Sequence, residues 1–199
     1  MAAIQKKGHG VIIVSGVPRS GTSMIMQMLE AGGVEICSDR QRPADEDNPR
    51  GYYEMERVKE LRKPGDKSWV ETARGKALKV VSQLLQDLPA TCFYQIIFLH
   101  RDLSEVMISQ NKMLTRRGQP HSGNDRHIRL LFEKHLAHIE NWVARQTNCN
   151  RLAVCHDEVL RDPAGQAARM REFLGMDLKV EKMAAAVDEK LYRNRRGAC

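Results

Sequence analysis

The chain has 199 residues, of which 42% are hydrophobic and 29% are charged. This length and composition fit one packed domain, which we predict to span residues 1–199, and they argue against disorder. Lysine and arginine outnumber aspartate and glutamate by 32 to 25, so the formal net charge of +7 suits an anionic partner. No apolar run is long enough for a membrane span or a signal peptide, and we expect a cytoplasmic protein. The five cysteines form no C-x-x-C pair, so we expect neither a zinc site nor a disulfide framework.

Apolar residues recur along the chain in the alternating pattern of an α/β protein. Residues 10–15 predict a buried strand, residues 16–21 a turn-rich loop and residues 22–31 a helix. Residues 37–67 are polar and rich in turn formers, which predicts a long functional loop with a short helix near residues 54–62. The remaining predicted elements are strand 76–81, short helix 82–88, strand 93–99, helix 102–116, loop 116–124, helix 125–145, strand 151–155, helix 162–174 and helix 180–191.

This alternation of strands and helices predicts a three-layer, doubly wound and mostly parallel sheet of about four to five strands. In the helix over residues 102–116, Asp102 is the predicted N-cap and Glu105 its capping partner. In the helix over residues 125–145, the predicted core-facing stripe is Ile128, Leu131, Phe132, Leu136, Ile139, Trp142 and Val143.

Residues 16–23, Gly-Val-Pro-Arg-Ser-Gly-Thr-Ser, have the glycine spacing of the phosphate-binding loop G-x-x-x-x-G-K-[ST]. Between a strand and a helix, such a loop turns backbone amides and a helix N-terminus toward an anion. Thr22 replaces the lysine of the motif, Ser23 keeps the hydroxyl and Arg19 supplies a cation within the loop. A kinase needs that lysine on the terminal phosphates, whereas an arginine fork suits a less charged tetrahedral oxyanion. The alternative is a loop that only joins a strand to a helix.

A second candidate anion site follows the apolar strand over residues 93–99. Arg101 comes at the carboxyl end of this strand, where open parallel sheets bind ligands. Ser109 lies about two helical turns beyond Asp102, on the same side as the helix start. An arginine and a hydroxyl in these positions predict a site that grips one phosphate from two sides. Taken alone, a solvated arginine and an ordinary helix serine fit the pattern equally well.

The two sites together resemble the sulfotransferase family, whose cytosolic-type and carbohydrate-type members use 3′-phosphoadenosine 5′-phosphosulfate (PAPS). Residues 17–23 are similar to the family's 5′-phosphosulfate loop, and Arg101 with Ser109 is similar to its 3′-phosphate motif. Residues 157–163, followed by Phe-Leu-Gly at 173–175, resemble a third and softer family pattern. The chain is shorter than many members, and it shows no recognisable arginine- and glycine-rich donor loop near its C-terminus.

The resemblance implies an enzyme that moves a sulfuryl group in line from PAPS to a hydroxyl or amine, without a metal. It implies that Arg101 and Ser109 hold the 3′-phosphate and that Arg19 offsets charge on the bridging oxygen of the leaving 5′-phosphate. The residues implied to bind the 5′-phosphosulfate are Pro18, Arg19, Ser20, Gly21, Thr22 and Ser23.

An acceptor hydroxyl must lose its proton, and the family uses a carboxylate or a histidine for this step. Glu54 is the favoured base, because the Asn-Pro-Arg-Gly turn before it can aim it at the site. Asp39 is the competitor, since related enzymes often use a carboxylate at this distance beyond the loop arginine. For each of them, a simply solvated carboxylate is the alternative.

Two further basic positions follow from the resemblance. Lys79 lies in the second predicted strand, near the position where related sulfotransferases carry a lysine that reaches the bridging oxygen; a lysine capping a surface strand is the equal alternative. Arg193 and Arg195, in the basic tail, are candidates to fold over the donor, and a frayed, solvated end is the alternative.

Two other classes of function stay open at this point. A P-loop nucleotide or small-molecule kinase shares the fold but needs the missing lysine and an acidic magnesium site. A non-catalytic nucleotide-binding protein would keep the anion cradle without transfer. A nucleic-acid partner is not expected, because the basic residues are dispersed along the chain. The acceptor stays open among carbohydrates, lipids, peptides and small natural products.

Overall fold

The computed structural model describes residues 10–45, 48, 51–119 and 125–188. Its strands are β1 (Val11–Gly16), β2 (Ile36–Cys37), β3 (Ala77–Lys79), β4 (Tyr94–His100) and β5 (Cys149–Cys155). Its α-helices are α1 (Thr22–Gly32), α2 (Leu103–Arg116), α3 (Asp125–Ala144), α4 (His156–Arg161), α5 (Pro163–Leu174) and α6 (Val180–Ala185). Short 3-10 helices cover Glu56–Arg62, Ser68–Ala73 and Ser82–Asp87.

The described strands form one parallel sheet in the order β2-β3-β1-β4-β5. The central strand β1 is covered on both faces, and Val11, Ile12, Ile13 and Val14 are all 0% exposed. Burial of every side chain is expected at the centre of a parallel sheet, because the crossover connections place helices on both faces. The predicted doubly wound α/β fold is confirmed.

Side chains of β1 alternate between two separate cores. On one face, Ile12 and Val14 pack with residues of α1, α5 and α6. On the other face, Val11 and Ile13 pack with residues of the three 3-10 helices and of α3. The sheet is therefore the middle layer of three.

Parallel strands bring the residues that follow them to the same edge of the sheet. The loop over residues 17–21 follows β1, Arg101 follows β4 and His156 follows β5. Lys79 is the last residue of β3. The fold thus gathers four chain segments that are distant in sequence at one edge.

Several predicted elements differ from the observed ones. Leu131 is 53% exposed, whereas Ile139 and Val143 are buried, because the core contacts of α3 come from its second half. Neither β2, which has two residues, nor α4 was predicted. The last helix ends at Ala185, and the final residues of its predicted span, 189–191, lie outside the described residues. No described helix combines the length and the apolar character needed to cross a membrane.

Candidate functional site

The loop over residues 17–21 turns sharply from β1 into α1. Gly21, the N-cap of α1, has a φ of 98°, and a Cβ atom at this position would lie 2.6 Å from Cδ2 of His156. Only glycine fits this conformation without strain. Gly21 offers no side-chain acceptor to the amides of the first helical turn. A helix N-terminus without a side-chain cap is well suited to binding an anion.

A buried hydroxyl in the same loop also favours a ligand. Ser20 is 0% exposed, and its Oγ has no hydrogen-bond partner among the described residues. An unpaired buried hydroxyl costs free energy, and an oxyanion is one group that would satisfy it. The loop therefore fits the phosphate-binding role that its sequence predicts.

The two predicted anion-binding motifs meet at this loop. Arg19, whose φ is 69°, donates from Nε to Ser109 Oγ on α2 at 2.9 Å. Arg101 donates from Nη1 to the carbonyl oxygen of Arg19 at 3.0 Å, and its Nε donates to Glu105 Oε2 at 3.1 Å. The side chains of Arg101 and Glu105 are 8% and 5% exposed. A buried ion pair thus holds Arg101 against the loop.

The start of α2 explains how this ion pair forms. Asp102 is the N-cap, as predicted, and its carboxylate accepts from the amides of Ser104 and Glu105 at 2.8 and 3.3 Å. The carboxylate of Glu105, the predicted capping partner, accepts from Arg101 Nε through Oε2. A buried guanidinium needs a nearby countercharge, and Glu105 in the first turn of α2 supplies it to Arg101, which lies just before the helix.

Lys79, at the end of β3, reaches the first turn of α1. Its Nζ donates to Ser23 Oγ at 3.1 Å and to the carbonyl oxygen of Tyr52 at 2.8 Å. It also lies 3.8 Å from Glu54 Oε1, and its side chain is 10% exposed. Burial lowers the pKa of Lys79 to about 8, although the charge of Glu54 opposes this shift. Lys79 is therefore a buried cation beside the anion-binding loop and not a surface lysine.

Ser23 connects this cation to the long loop between β2 and β3. Its Oγ accepts from Asn48 Nδ2 at 2.8 Å as well as from Lys79. It lies 3.5 Å from the carbonyl oxygen of Tyr52, to which it can donate. The hydroxyl that occupies the last position of the loop motif thus ties the loop, the sheet and the β2–β3 segment together.

Tyr52 is the buried anchor of the β2–β3 segment. The guanidinium carbon of Arg42 lies 3.2 Å from the centre of its ring, and Lys79 Nζ lies 5.9 Å from it. Its hydroxyl donates to Asp45 at 2.6 Å. Burial, together with this hydrogen bond, raises the pKa of Tyr52 to about 12, so the phenol stays protonated. Both cations thus lie within the roughly 6 Å range of a cation–π attraction to this ring.

The structure places the two predicted base candidates differently. Both carboxylate oxygens of Glu54 accept from Arg42 Nη1, at 3.1 and 3.3 Å. Glu54 Oε1 also lies 3.8 Å from Lys79 Nζ. The Asp39 carboxylate accepts from the backbone amides of Gln41 at 3.1 Å and Glu56 at 2.6 Å. Asp39 thus braces the loop, whereas Glu54 faces the cation cluster.

A cavity of about 400 Å³ opens beside Glu54. Its volume lies within the range of roughly 300–1,000 Å³ that is usual for small-molecule sites. The residues that line it are Glu30, Ile36, Ser38, Arg40, Arg42, Pro43, Ala44, Gly51, Tyr52, Tyr53 and Glu54.

Sequence reasoning missed three residues of this site. Arg42 and Tyr52 lie in the predicted long loop, but their contact depends on tertiary packing and leaves no spacing signal. His156 packs on Gly21 and is 5% exposed. Burial lowers the pKa of His156, and the charge of Arg101 lowers it further. Its position directly after a strand was the signal that could have identified it.

One cluster has the residue types of a metal site. Potential ligand atoms of Glu105, His156 and Asp157 lie within 4.8 Å of one another. The Glu105 carboxylate already binds the Arg101 guanidinium, so a metal cation would have to displace or repel a buried positive charge. We therefore assign no metal to this cluster. The predicted donor-covering residues Arg193 and Arg195 lie outside the described residues.

Comparison with known proteins identifies the class to which this fold and loop belong. A family model described as a sulfotransferase domain matches residues 10–197. The chain therefore belongs to the sulfotransferase family. A comparison with the sequences of curated proteins finds no significant match.

Solved structures share the fold. Mouse sulfotransferase SULT7A1, crystallised in complex with PAP, is 19% identical with a TM-score of 0.56, over 89% of this chain and 62% of that protein. A sulfotransferase domain from the curacin biosynthetic pathway is 14% identical with a TM-score of 0.53, over 95% of this chain and 88% of that domain. The sulfotransferase domain of the Synechococcus PCC 7002 olefin synthase is 18% identical with a TM-score of 0.49, over 98% of this chain and 80% of that domain. The first two likenesses support the fold alone, and this chain spans 62% of the length of the mouse protein.

Proposed function

We propose that the protein transfers a sulfuryl group from PAPS to an acceptor hydroxyl or amine. The observation that carries this proposal is the convergence of Arg19, Lys79 and Arg101 on the loop before α1, in a chain of the sulfotransferase family. The related mouse protein was crystallised with PAP, the bisphosphate that PAPS leaves after transfer.

The donor would bind through two sets of groups. Its 5′-phosphosulfate fits the uncapped N-terminus of α1 and the buried Ser20 hydroxyl, which has no hydrogen-bond partner among the described residues. Its 3′-phosphate fits Ser109 and Arg101, which present a hydroxyl and a guanidinium near each other at the start of α2. Arg19, in the loop before α1, contacts both Ser109 and Arg101. It therefore links the group of residues proposed for the 5′-phosphosulfate to the group proposed for the 3′-phosphate.

The transfer itself needs positive charge at the leaving group. The acceptor oxygen or nitrogen forms a bond to sulfur as the bond between sulfur and the bridging oxygen breaks. The electron pair of that bond passes to the 5′-phosphate, which leaves with PAP. The buried Lys79, whose Nζ lies 3.1 Å from Ser23 Oγ, would neutralise this developing negative charge. Arg19 would add a second positive charge beside the same oxygen.

The acceptor proton would pass to Glu54. The Glu54 side chain is 26% exposed and lines the cavity, and its Oε1 lies 3.8 Å from Lys79 Nζ. Arg42 holds it in place, and a carboxylate retains lone pairs for a further donor. Asp39 is the weaker candidate, because its oxygens accept backbone amides of the loop.

The kinase alternative has less support. Thr22 stands where a kinase loop carries its lysine. The carboxylate that follows β4, Asp102, accepts backbone amides as a helix cap. A cytoplasmic location and the absence of a nucleic-acid partner remain predictions.

Nucleotide binding and transfer test the proposed function together. PAP at about 100 times its Kd should raise the Tm by roughly 5–10 °C without magnesium. Labelled PAPS should pass its sulfuryl group to acceptors in a cell extract. Stronger stabilisation by ATP with magnesium would favour a kinase instead.

Matched arginine variants separate an enzyme from a nucleotide-binding protein. Arg19→Ala should reduce transfer by about 100-fold, because it removes a charge beside the leaving group. Arg171→Ala, which removes an exposed arginine on α5, should leave transfer unchanged. PAP binding without any transfer by the wild-type protein would exclude catalysis.

A further inference from the structure

Two groups of opposite charge that the proposed reaction needs lie close together in this site. Oε1 of Glu54, the proposed base, lies 3.8 Å from Nζ of Lys79, the cation proposed for the leaving group. Both side chains are mostly buried. Opposite charges attract strongly where water is scarce, and an approach of about 1 Å would make them a hydrogen-bonded ion pair. Such a pair would occupy the base and the cation with each other.

Separate contacts hold these two groups apart. Lys79 Nζ donates to the carbonyl oxygen of Tyr52 at 2.8 Å. Both carboxylate oxygens of Glu54 accept from Arg42 Nη1, at 3.1 and 3.3 Å. The backbone of Glu54 is fixed independently, because its carbonyl oxygen accepts from Ser38 Oγ at 2.9 Å. The direction of the Glu54 side chain therefore depends on Arg42.

An aromatic platform holds Arg42 itself. Its guanidinium carbon lies 3.2 Å from the centre of the buried Tyr52 ring, whose hydroxyl donates to Asp45 at 2.6 Å. Arg42 Nη2 is buried and has no hydrogen-bond partner among the described residues. A planar guanidinium can stack on a ring and pair with a carboxylate at its edge at the same time, which a lysine ammonium cannot. The stack on Tyr52 thus aims Nη1 at Glu54.

The charge of Arg42 also acts on Lys79 directly. Within the part of the chain that the structure describes, the charges that act on Lys79 are those of Glu54, Arg42 and Arg19. Burial lowers the pKa of Lys79 to about 8, Glu54 opposes this shift, and the two arginines add to it. Tyr52 adds no charge, because burial raises the pKa of its phenol to about 12. Without Arg42, Lys79 would lose a repulsion and gain a nearer carboxylate, so its pKa would rise.

From these contacts we infer that Arg42 is a positioning residue that keeps the base Glu54 apart from the leaving-group cation Lys79. This inference rests on the proposed function, because it assigns Arg42 a part in the same reaction. Arg42 and Glu54 both line the cavity, so their pairing leaves a Glu54 oxygen free to take the acceptor proton there. Lys79 is then left to meet the charge that develops on the 5′-phosphate. Arg42 acts through these two residues and needs no contact with either substrate.

Arg42→Met tests this role, because it removes the charge and keeps a long side chain that can pack on Tyr52. At pH 7 we expect kcat to fall about 30-fold, since the base then pairs with Lys79. The Kd for PAP should rise about fivefold, since the same pair draws Lys79 from the donor. The loss of PAP affinity expected near pH 8 should move upward by about 1 pH unit. Arg42→Lys keeps the charge, so its Kd should stay within about twofold of the wild-type value.

A second substitution separates positioning from a loss of structure. In Arg42→Met/Glu54→Gln the amide no longer attracts Lys79, so the Kd for PAP should return to within about twofold of that of Glu54→Gln alone. A site loosened by the lost stack would regain nothing from the second change. Arg57→Met is the matched control, because Arg57 stacks on Trp69 at 5.3 Å in the same segment. It should change neither Kd nor kcat by more than about twofold. Calorimetry with PAP and transfer from labelled PAPS measure these effects.

The outcomes separate the two proposals. A wild-type Kd and kcat in Arg42→Met, an unmoved pH step, or a double variant that binds PAP no better than Arg42→Met would each overturn the role of Arg42. In each of these cases, PAP binding and sulfuryl transfer by the wild-type protein leave the proposed function standing. If the wild-type protein does not bind PAP, the proposed function falls and the role of Arg42 falls with it.

Discussion

Arg19 donates a 2.9 Å hydrogen bond to Ser109, which joins two motifs that lie 90 residues apart in the sequence. The first residue belongs to the loop after β1 and the second to the helix after β4. Parallel neighbouring strands place these segments at the same sheet edge. The two anion-binding motifs are therefore parts of one network, and a change in one should be felt by the other.

Ser109→Ala should weaken PAP binding selectively. We expect the Kd for PAP to rise about tenfold, because a hydroxyl hydrogen bond to a charged phosphate contributes about 1.5 kcal/mol. The Kd for adenosine 5′-monophosphate should change less than about twofold, since this nucleotide lacks the 3′-phosphate. Calorimetry with both nucleotides measures the difference.

Ser104→Ala is the matched control for Ser109→Ala, because Ser104 lies on the same helix and accepts from Arg129. Equal losses for the two nucleotides in Ser109→Ala would show that this serine does not recognise the 3′-phosphate. Arg101→Ala is a less suitable probe. It leaves the Glu105 carboxylate buried without its cation, which typically costs about 3–5 kcal/mol of stability.

Donor affinity should depend on pH through Lys79. Because burial lowers the pKa of this lysine to about 8, its positive charge is present below that pH and is lost above it. PAP binding should therefore weaken by about tenfold between pH 7 and pH 9.5, since one charge-assisted contact disappears. In Lys79→Met, binding should be weak at pH 7 and nearly independent of pH. A wild-type profile without a step near pH 8 would contradict this role.

Isosteric amides should separate the two base candidates. Glu54→Gln should lower kcat by about 100-fold or more and leave the Kd for PAP within about threefold, because it removes proton acceptance and not donor contacts. Asp39→Asn should change kcat by less than about threefold but lower stability by about 1 kcal/mol, because its carboxylate braces two backbone amides. Steady-state kinetics and denaturation measure both effects.

Glu56→Gln controls for the loss of an exposed loop carboxylate, which here pairs with Lys59. The reverse pattern, with a large loss of kcat in Asp39→Asn and a small one in Glu54→Gln, would make Asp39 the base.

The close packing of Gly21 against His156 predicts a large effect of one methyl group. Gly21→Ala should lower the free energy of unfolding by about 2 kcal/mol or more, because the new Cβ would lie 2.6 Å from the imidazole in a left-handed backbone. Gly33→Ala has a similar φ, but nothing lies within 4 Å of its Cβ, so it should cost only about 1 kcal/mol. Chemical denaturation of both variants measures the difference. Equal costs would show that the clash relaxes, and Gly21→Ala/His156→Ala should recover part of the loss.

Local patterns in the sequence were sufficient to predict the part of the molecule that carries the proposed donor site. The buried strand before Gly16 and the helix from Thr22 follow from apolar runs bounded by glycines, and the structure matches them within one or two residues. Asp102 as a helix cap also follows from its local sequence. These features depend on contacts between near neighbours in the chain, which residue spacing encodes.

The part that carries the proposed acceptor side of the site was not predictable in the same way. The segment between β2 and β3 has no apolar period, and its shape depends on side chains that meet from distant positions. The stacking of Arg42 on Tyr52 and the contact of Lys79 with Ser23 are of this kind. The ion pair of Glu105 with Arg101 is another contact that the local sequence did not predict.

The β2–β3 segment, residues 38–76, leaves the sheet at its edge strand and returns at the adjacent strand. The groups proposed to hold the nucleotide come from the β1–α1 and β4–α2 connections instead. The segment nevertheless supports those groups, because Asn48 donates to Ser23 and the Tyr52 carbonyl accepts from Lys79. A graft of another family member's segment would therefore have to keep these two contacts and the core side chains of Trp69 and Val70 to leave the proposed nucleotide site in place.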